Sequence, residues 1–266
     1  MIEIAICLAI IGIALVAIVG VLPLGMNVQR ENRESTIINQ DATVLLEAIR
    51  NGSQGLNDLT NYVYFITNNW ALYNPDGSFN KSGGNGYIYS STIIAPNYVT
   101  PSGTFTAPTT TISNGTNIIG LLSTPEFTDL NGVPINNLFA GDYYSNHIVA
   151  YVRSLSGPAV EKPPQDNQIL QEDTFTYRIY CVNAPVATDT NVFNLQSSDP
   201  RFLYSQQLAQ NLHELRLTFL WPQQPNGKLG TGRQTFRALV AGQVATNSSY
   251  GPMLYFYQPQ SFAITK

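Results

Sequence analysis

"MIEIAICLAIIGIALVAIVGVLPLG", residues 1–25, carries one charged side chain, Glu3, and the next charge along the chain is Arg30. The 23 residues from Ile4 to Met26 are uncharged, which as a helix is long enough to cross a hydrocarbon core. A carboxylate heading such a segment costs a few kcal/mol unless something pairs with it. A secretory signal peptide would need a basic start, a shorter apolar stretch and a small-residue cleavage site. This run has a glutamate before it, is too long and is followed by no such site.

The helical pattern continues past the apolar run. In "NVQRENRESTIINQDATVLLEAIRNG" (27–52), Ile38, Ala42, Leu45, Leu46 and Ile49 recur three or four residues apart, while Arg30, Glu31, Arg33 and Glu34 occupy the opposite face. Gly52 is a helix stop, with Arg50 in the last turn where cations are favoured. One helix over about 2–51 would be about 75 Å long at 1.5 Å per residue. Gly20, Pro23 and Gly25 interrupt its middle, so a kink or a short non-helical stretch is expected there.

The whole chain has 266 residues, room for a long element plus one or two ordinary domains. Charged residues make up 11%, against roughly 25% in an average soluble domain. Asn, Thr, Ser, Gln, Gly and Tyr fill the surface role instead, which suits β-sheet and dense packing between neighbours. A net charge of −4 and the absence of a Lys/Arg cluster exclude nucleic acid as an expected partner. Cys7 lies in the apolar run and Cys181 in "TYRIYCVNAP", so both read as small buried hydrophobes rather than a disulfide.

"IEIAICLAIIGIALVAI" resembles the N-terminal segment of type IV pilins and the related pseudopilins. The likeness rests on Ile2-Glu3 ahead of the apolar run and on Ala9-Ile10-Ile11-Gly12-Ile13 at the family's distance from the glutamate. It covers about thirty residues strongly and the continuation to Gly52 more loosely. Two features depart from the pattern. The family's glutamate usually stands two residues further into the mature chain, and its helix-breaking proline closer to that glutamate; here Gly20 holds about that place and Pro23 follows.

The resemblance implies a prepilin held in the bacterial inner membrane, cut by a prepilin peptidase and N-methylated at the new terminus. Met1 then need not be an initiator: the favoured expectation is a processed product whose short basic leader has been removed, with either two residues missing ahead of Met1 or a different processing. The pilus assembly machinery would add the subunit to a helical homo-polymer at the cell surface. Glu3 would pair with a neighbour's N-terminal amine, and Ile4, Leu8, Ile11, Leu15 and Ile18 would pack the central helix bundle. An unpaired carboxylate in hydrocarbon is unfavourable and a paired one tolerable, so the charge rewards docking in one register.

After Gly52 the pattern changes to short segments punctuated by Gly, Pro and Asn. Strands are expected at 61–66, 86–94, 146–155, 173–183, 214–222, 233–242 and 253–259 from their β-branched and aromatic content. Phe175, Tyr177, Ile179 and Cys181 alternate with Thr176, Arg178 and Tyr180, the period of a half-buried strand. "PQQPNGKLGTG" (222–232) suits a hairpin connection, and "SQQLAQNLHEL" (205–215) begins as a short helix. The Thr/Ser/Pro/Gly-rich stretch 95–117 reads as an exposed loop or added lobe, and 158–168 as a surface loop. The expected fold is α+β, pilin-like. A long helix (1–27 membrane or filament-core half, 28–52 amphipathic half) precedes an antiparallel sheet domain over 53–266, packed on the helix's C-terminal half, with a loop-rich insertion around 95–140.

Catalytic patterns are missing. His147 and His213 have no metal-ligand spacing, and no GxSxG, P-loop or dinucleotide fingerprint occurs, so neither an enzyme nor a cofactor or metal is expected. Asp76, Asp129 and Asp166 read as turn-capping residues rather than calcium ligands. Sequons occur at Asn80, Asn114 and Asn247, and Asn114, Thr109 and Thr110 are the glycosylation candidates. The leading expectation is a structural subunit of an extracellular type IV pilus-like filament. The alternatives are a minor pilin or pseudopilin of a pilus or type II secretion system, and a membrane-anchored surface binding module. Glu3 favours a subunit of the filament body, because a tip subunit has no neighbour ahead to pair with; the chain's size favours a minor subunit.

Overall fold

A computed structural model describes residues 2–88, 98–100, 103–105, 109–111, 114–135, 141–156, 175–186, 199–224, 227–248 and 252–262. The chain opens with one helix, α1 (Ile2–Arg50), of 49 residues. Of the kink or short non-helical stretch expected at Gly20, Pro23 and Gly25, the non-helical stretch is not found: α1 is helical through all three. Proline removes one N–H, which leaves the Val19 carbonyl without its helical donor. The Ile, Leu, Val and Ala turns on either side keep their own bonds, and propagation across a single gap is far less costly than nucleating a second helix.

The end of α1 falls where the sequence placed it. Gly52 (φ +57) closes a Schellman motif, with Ser53 N–H donating to the Ala48 carbonyl and Gly52 N–H to that of Ile49, both at 3.0 Å. Only glycine fits, because a Cβ there would collide with the Tyr257 carbonyl oxygen.

By contacts the chain divides into two compact units, Met1–Gln40 and Asp41–Lys266. The division falls inside α1, ten residues or so before the helix ends.

The second unit is built on an eight-stranded sheet. Its strands are β1 (Val63–Tyr73), β2 (Phe79–Ile88), β5 (Thr109–Thr111), β6 (Phe127–Thr128), β7 (Tyr143–Arg153), β8 (Thr176–Pro185), β9 (Leu212–Gln223) and β10 (Leu229–Ala241). They lie in the order β10-β9-β8-β7-β1-β2-β5, and β6 pairs with β7 beyond the end of β8. Every pairing is antiparallel except β2–β5. The architecture is therefore α+β, with a mostly antiparallel sheet. The 222–232 connection does join a hairpin, β9–β10.

Alternation gives the sheet its two faces. Along β8, Tyr177, Ile179 and Cys181 are buried while Tyr180 is exposed; along β9, Leu215, Leu217, Phe219 and Trp221 are buried between half-buried residues. Register places these side chains on one face, with Ile179 opposite both Ala150 and Phe219. Three elements cover that face. The last turns of α1 contribute Ala42, Leu45 and Ile49, all 0% exposed. The second helix, α2 (Gly115–Leu122), buries Ile118, Ile119, Leu121 and Leu122. The hairpin of β11 (Gln243–Asn247) and β12 (Leu254–Gln258) buries Leu254, Tyr255, Phe256 and Tyr257. The short helix expected within 205–215 is α3 (Pro200–Asn211), capped by Asp199.

The expectation of a loop over 95–117 needs correction where residues are described. A two-stranded pair, β3 (Tyr98–Thr100) with β4 (Gly103–Phe105), is followed by β5, which extends the main sheet, and by α2, which is core. Eight apolar-rich residues flanked by Asn114 and Ser123 carry no visible period, and burial against β12 is what makes them helical. Gly120 allows that approach, since a Cβ would sit 2.8 Å from the Leu254 Cβ. The loop expected over 158–168 lies outside the described residues.

Candidate functional site

The apolar half of α1 is the feature that asks for a partner. Ile4, Leu8, Ile11, Leu15 and Ile18 are between 54% and 65% exposed. So are the residues between them: Ile2, Ile6, Ile10, Ile13, Val16, Val19 and Val21 are comparably bare. The predicted stripe is thus part of a helix that is apolar all round, the composition of a segment surrounded by hydrocarbon or by other apolar helices. Its most apolar window has a mean hydropathy of 3.1 and none of it is buried, so it is long and apolar enough to cross a membrane.

Glu3 sits in the first turn of α1. There the helix macrodipole favours a negative charge by about 0.3–1 kcal/mol, well short of the few kcal/mol that hydrocarbon exacts from a carboxylate. The nearest basic side chain in sequence is Arg30, 27 residues and some 40 Å of helix away at 1.5 Å per residue. Cys7 is exposed on the same helix and Cys181 is buried in β8; both are free thiols.

A second site was not singled out in the sequence. Asp41, one turn before Leu45 on α1, is 0% exposed. Its Oδ2 accepts from the Leu155 N–H at 2.9 Å and the Tyr177 hydroxyl at 2.8 Å, and its Oδ1 from the Ser156 hydroxyl at 2.7 Å. These donors come from the end of β7 and from β8, so the carboxylate binds the helix to the centre of the sheet. Burial raises its carboxyl above the ordinary 3.8, against the opposing pull of the hydrogen bonds from Ser156, Tyr177 and Leu155. The signal was present in the spacing. Asp41 is three residues after Ile38 and four before Leu45, a carboxylate on the apolar face.

The remaining candidates are structural where they are described. Asp76 accepts from Ser78 N–H and hydroxyl, and Asp129 from the N–H groups of Asn131 and Val133, both ordinary turn caps. Asp166 lies outside the described residues. Among the described residues no cluster of three or more His, Cys, Asp or Glu is placed to hold a metal. His147 is exposed on β7; His213 is buried, contacts the Tyr257 ring edge-on and has its pKa lowered by burial. Asn114 is the N-cap of α2, its side-chain oxygen accepting from Asn117 N–H, and Thr116 of the same sequon donates to the Gln54 carbonyl. Thr109 and Thr110 lie in β5.

Comparison with known proteins finds no matching family model, curated protein or solved structure.

Proposed function

We propose that this chain is a structural subunit of an extracellular type IV pilus-like filament, held in the bacterial inner membrane by α1 before assembly. The observation that carries this reading is the exposed apolar first half of α1, headed by a single carboxylate. A plain membrane anchor has no use for Glu3, whereas a bundle of such helices supplies both the apolar surroundings and a neighbour's terminal ammonium. The low charge content of the remaining chain fits a surface that packs closely against copies of itself.

A pseudopilin or minor pilin is the second reading, favoured by the size of the unit beyond residue 40, which is large for repetitive packing along a filament. A membrane-anchored binding module is the third, favoured by the membrane-length helix alone. Electron microscopy of material sheared from the surface of producing cells, with mass spectrometry of its subunit, separates them. A body subunit gives filaments made chiefly of this chain, N-methylated at its mature terminus. Recovery of the chain from the membrane only, or from filaments at trace level, contradicts the first reading.

A further inference from the structure

Asp41 is an unusual choice for the place it occupies. It is fully buried on the apolar face of α1, and among the described residues it has no cationic partner; its contacts are the backbone N–H groups of Leu155 and Ser156 and two hydroxyls. The titratable groups that sense it are Tyr177 from β8 and Tyr62 just before β1, both of which feel Asp41 as a negative charge; Tyr62 also feels Asp58 of the 3₁₀ turn 57–61. An apolar residue would fill the position without a charge to bury.

We propose that Asp41 makes the seating of α1 on the sheet depend on acidity, so that the last turns of the helix are held more tightly in acid than near neutrality. Protonation removes the cost of a buried charge without losing the contacts. The Ser156 and Tyr177 hydroxyls can each turn from donor to acceptor, while the Leu155 and Ser156 N–H groups keep donating to the carboxyl. Deprotonation restores a charge that neutral donors must hold alone. The upward displacement of the carboxyl by burial has the same sign. A carboxyl that binds its proton more tightly folded than unfolded adds stability in full below the ordinary value near 3.8. That stability is lost as pH rises through the higher folded value. This inference does not depend on what α1 assembles into.

The test compares full-length chain in detergent with its Asp41→Asn variant, following loss of near-UV circular dichroism on heating at a series of pH values from 3 to 8. His213, whose burial favours its neutral form and so acts with the opposite sign, is common to both proteins and drops out of the difference. The expected result is that wild type loses Tm relative to the variant as pH rises. The relative loss is about 2–4 °C for each pH unit by which the folded value exceeds the unfolded one. Parallel curves, or wild type gaining on the variant as pH rises, overturn the proposal. Should Asp41→Asn fail to fold, carboxyl-carbon NMR of wild type labelled at aspartate decides. A buried carboxyl titrating above the ordinary value supports the proposal, and one titrating at or below it overturns it.

Discussion

Leu45 and Asp41 are one turn apart on α1 and lie in the same buried layer, yet they hold the domain by different means. Leu45 is fully buried beside Ala42 and Ile49 and contributes by filling space. Removing such a side chain forfeits its transfer free energy and leaves a cavity, about 2–5 kcal/mol in a well-packed core. Leu45→Ala in a soluble version lacking residues 1–27 should therefore lower the thermal midpoint by several degrees, read by circular dichroism. An unchanged midpoint would mean that this face of the helix does not support the sheet. Asp41 contributes through direction rather than volume, since its hydrogen bonds fix where the helix surface meets β8 and the residues that follow β7. Its placement on the apolar face was visible in the spacing, but a residue's partners are set by strands more than a hundred positions away, and no local pattern announces them.

At the scale of elements, periodicity carried most of the reading. The alternation of β8 and β9 and the three-and-four spacing after Arg30 correspond to β8, β9 and the last turns of α1 as observed. Elements that owe their form to distant contacts were not legible. β5 is three residues long and joins the sheet in parallel to β2, and α2 is too short to be helical without its burial against β12. At Pro23 the helix continues despite proline's local cost of about 3 kcal/mol. Pro23→Ala should leave the helical content of detergent-solubilised chain unchanged by circular dichroism, while amide exchange in the turn 19–27 slows as the Val19 carbonyl regains its donor. A clear gain in helical content would mean that α1 is broken at Pro23 in solution.

The whole molecule pairs a compact β-rich unit whose apolar side chains are largely covered with a helix whose first half is not covered at all. On the proposed reading, that first half is surrounded by hydrocarbon in the monomer and by copies of itself in the filament. Glu3 is the residue that distinguishes those two environments, and the resemblance to pilins rests on the same few positions, so one substitution addresses both. Glu3→Gln keeps the size and some hydrogen bonding of the side chain while removing its charge. Membrane insertion and folding of the β-rich unit should be unaffected, since neither uses that charge. Assembly should fail or slow strongly, because a neighbour's ammonium left unmatched in an apolar bundle costs roughly 3–5 kcal/mol. The measurement is filament yield from cells making Glu3→Gln, set beside the membrane level of the monomer. Abundant monomer with few or no filaments is the predicted result, and normal filaments from the variant would contradict the account.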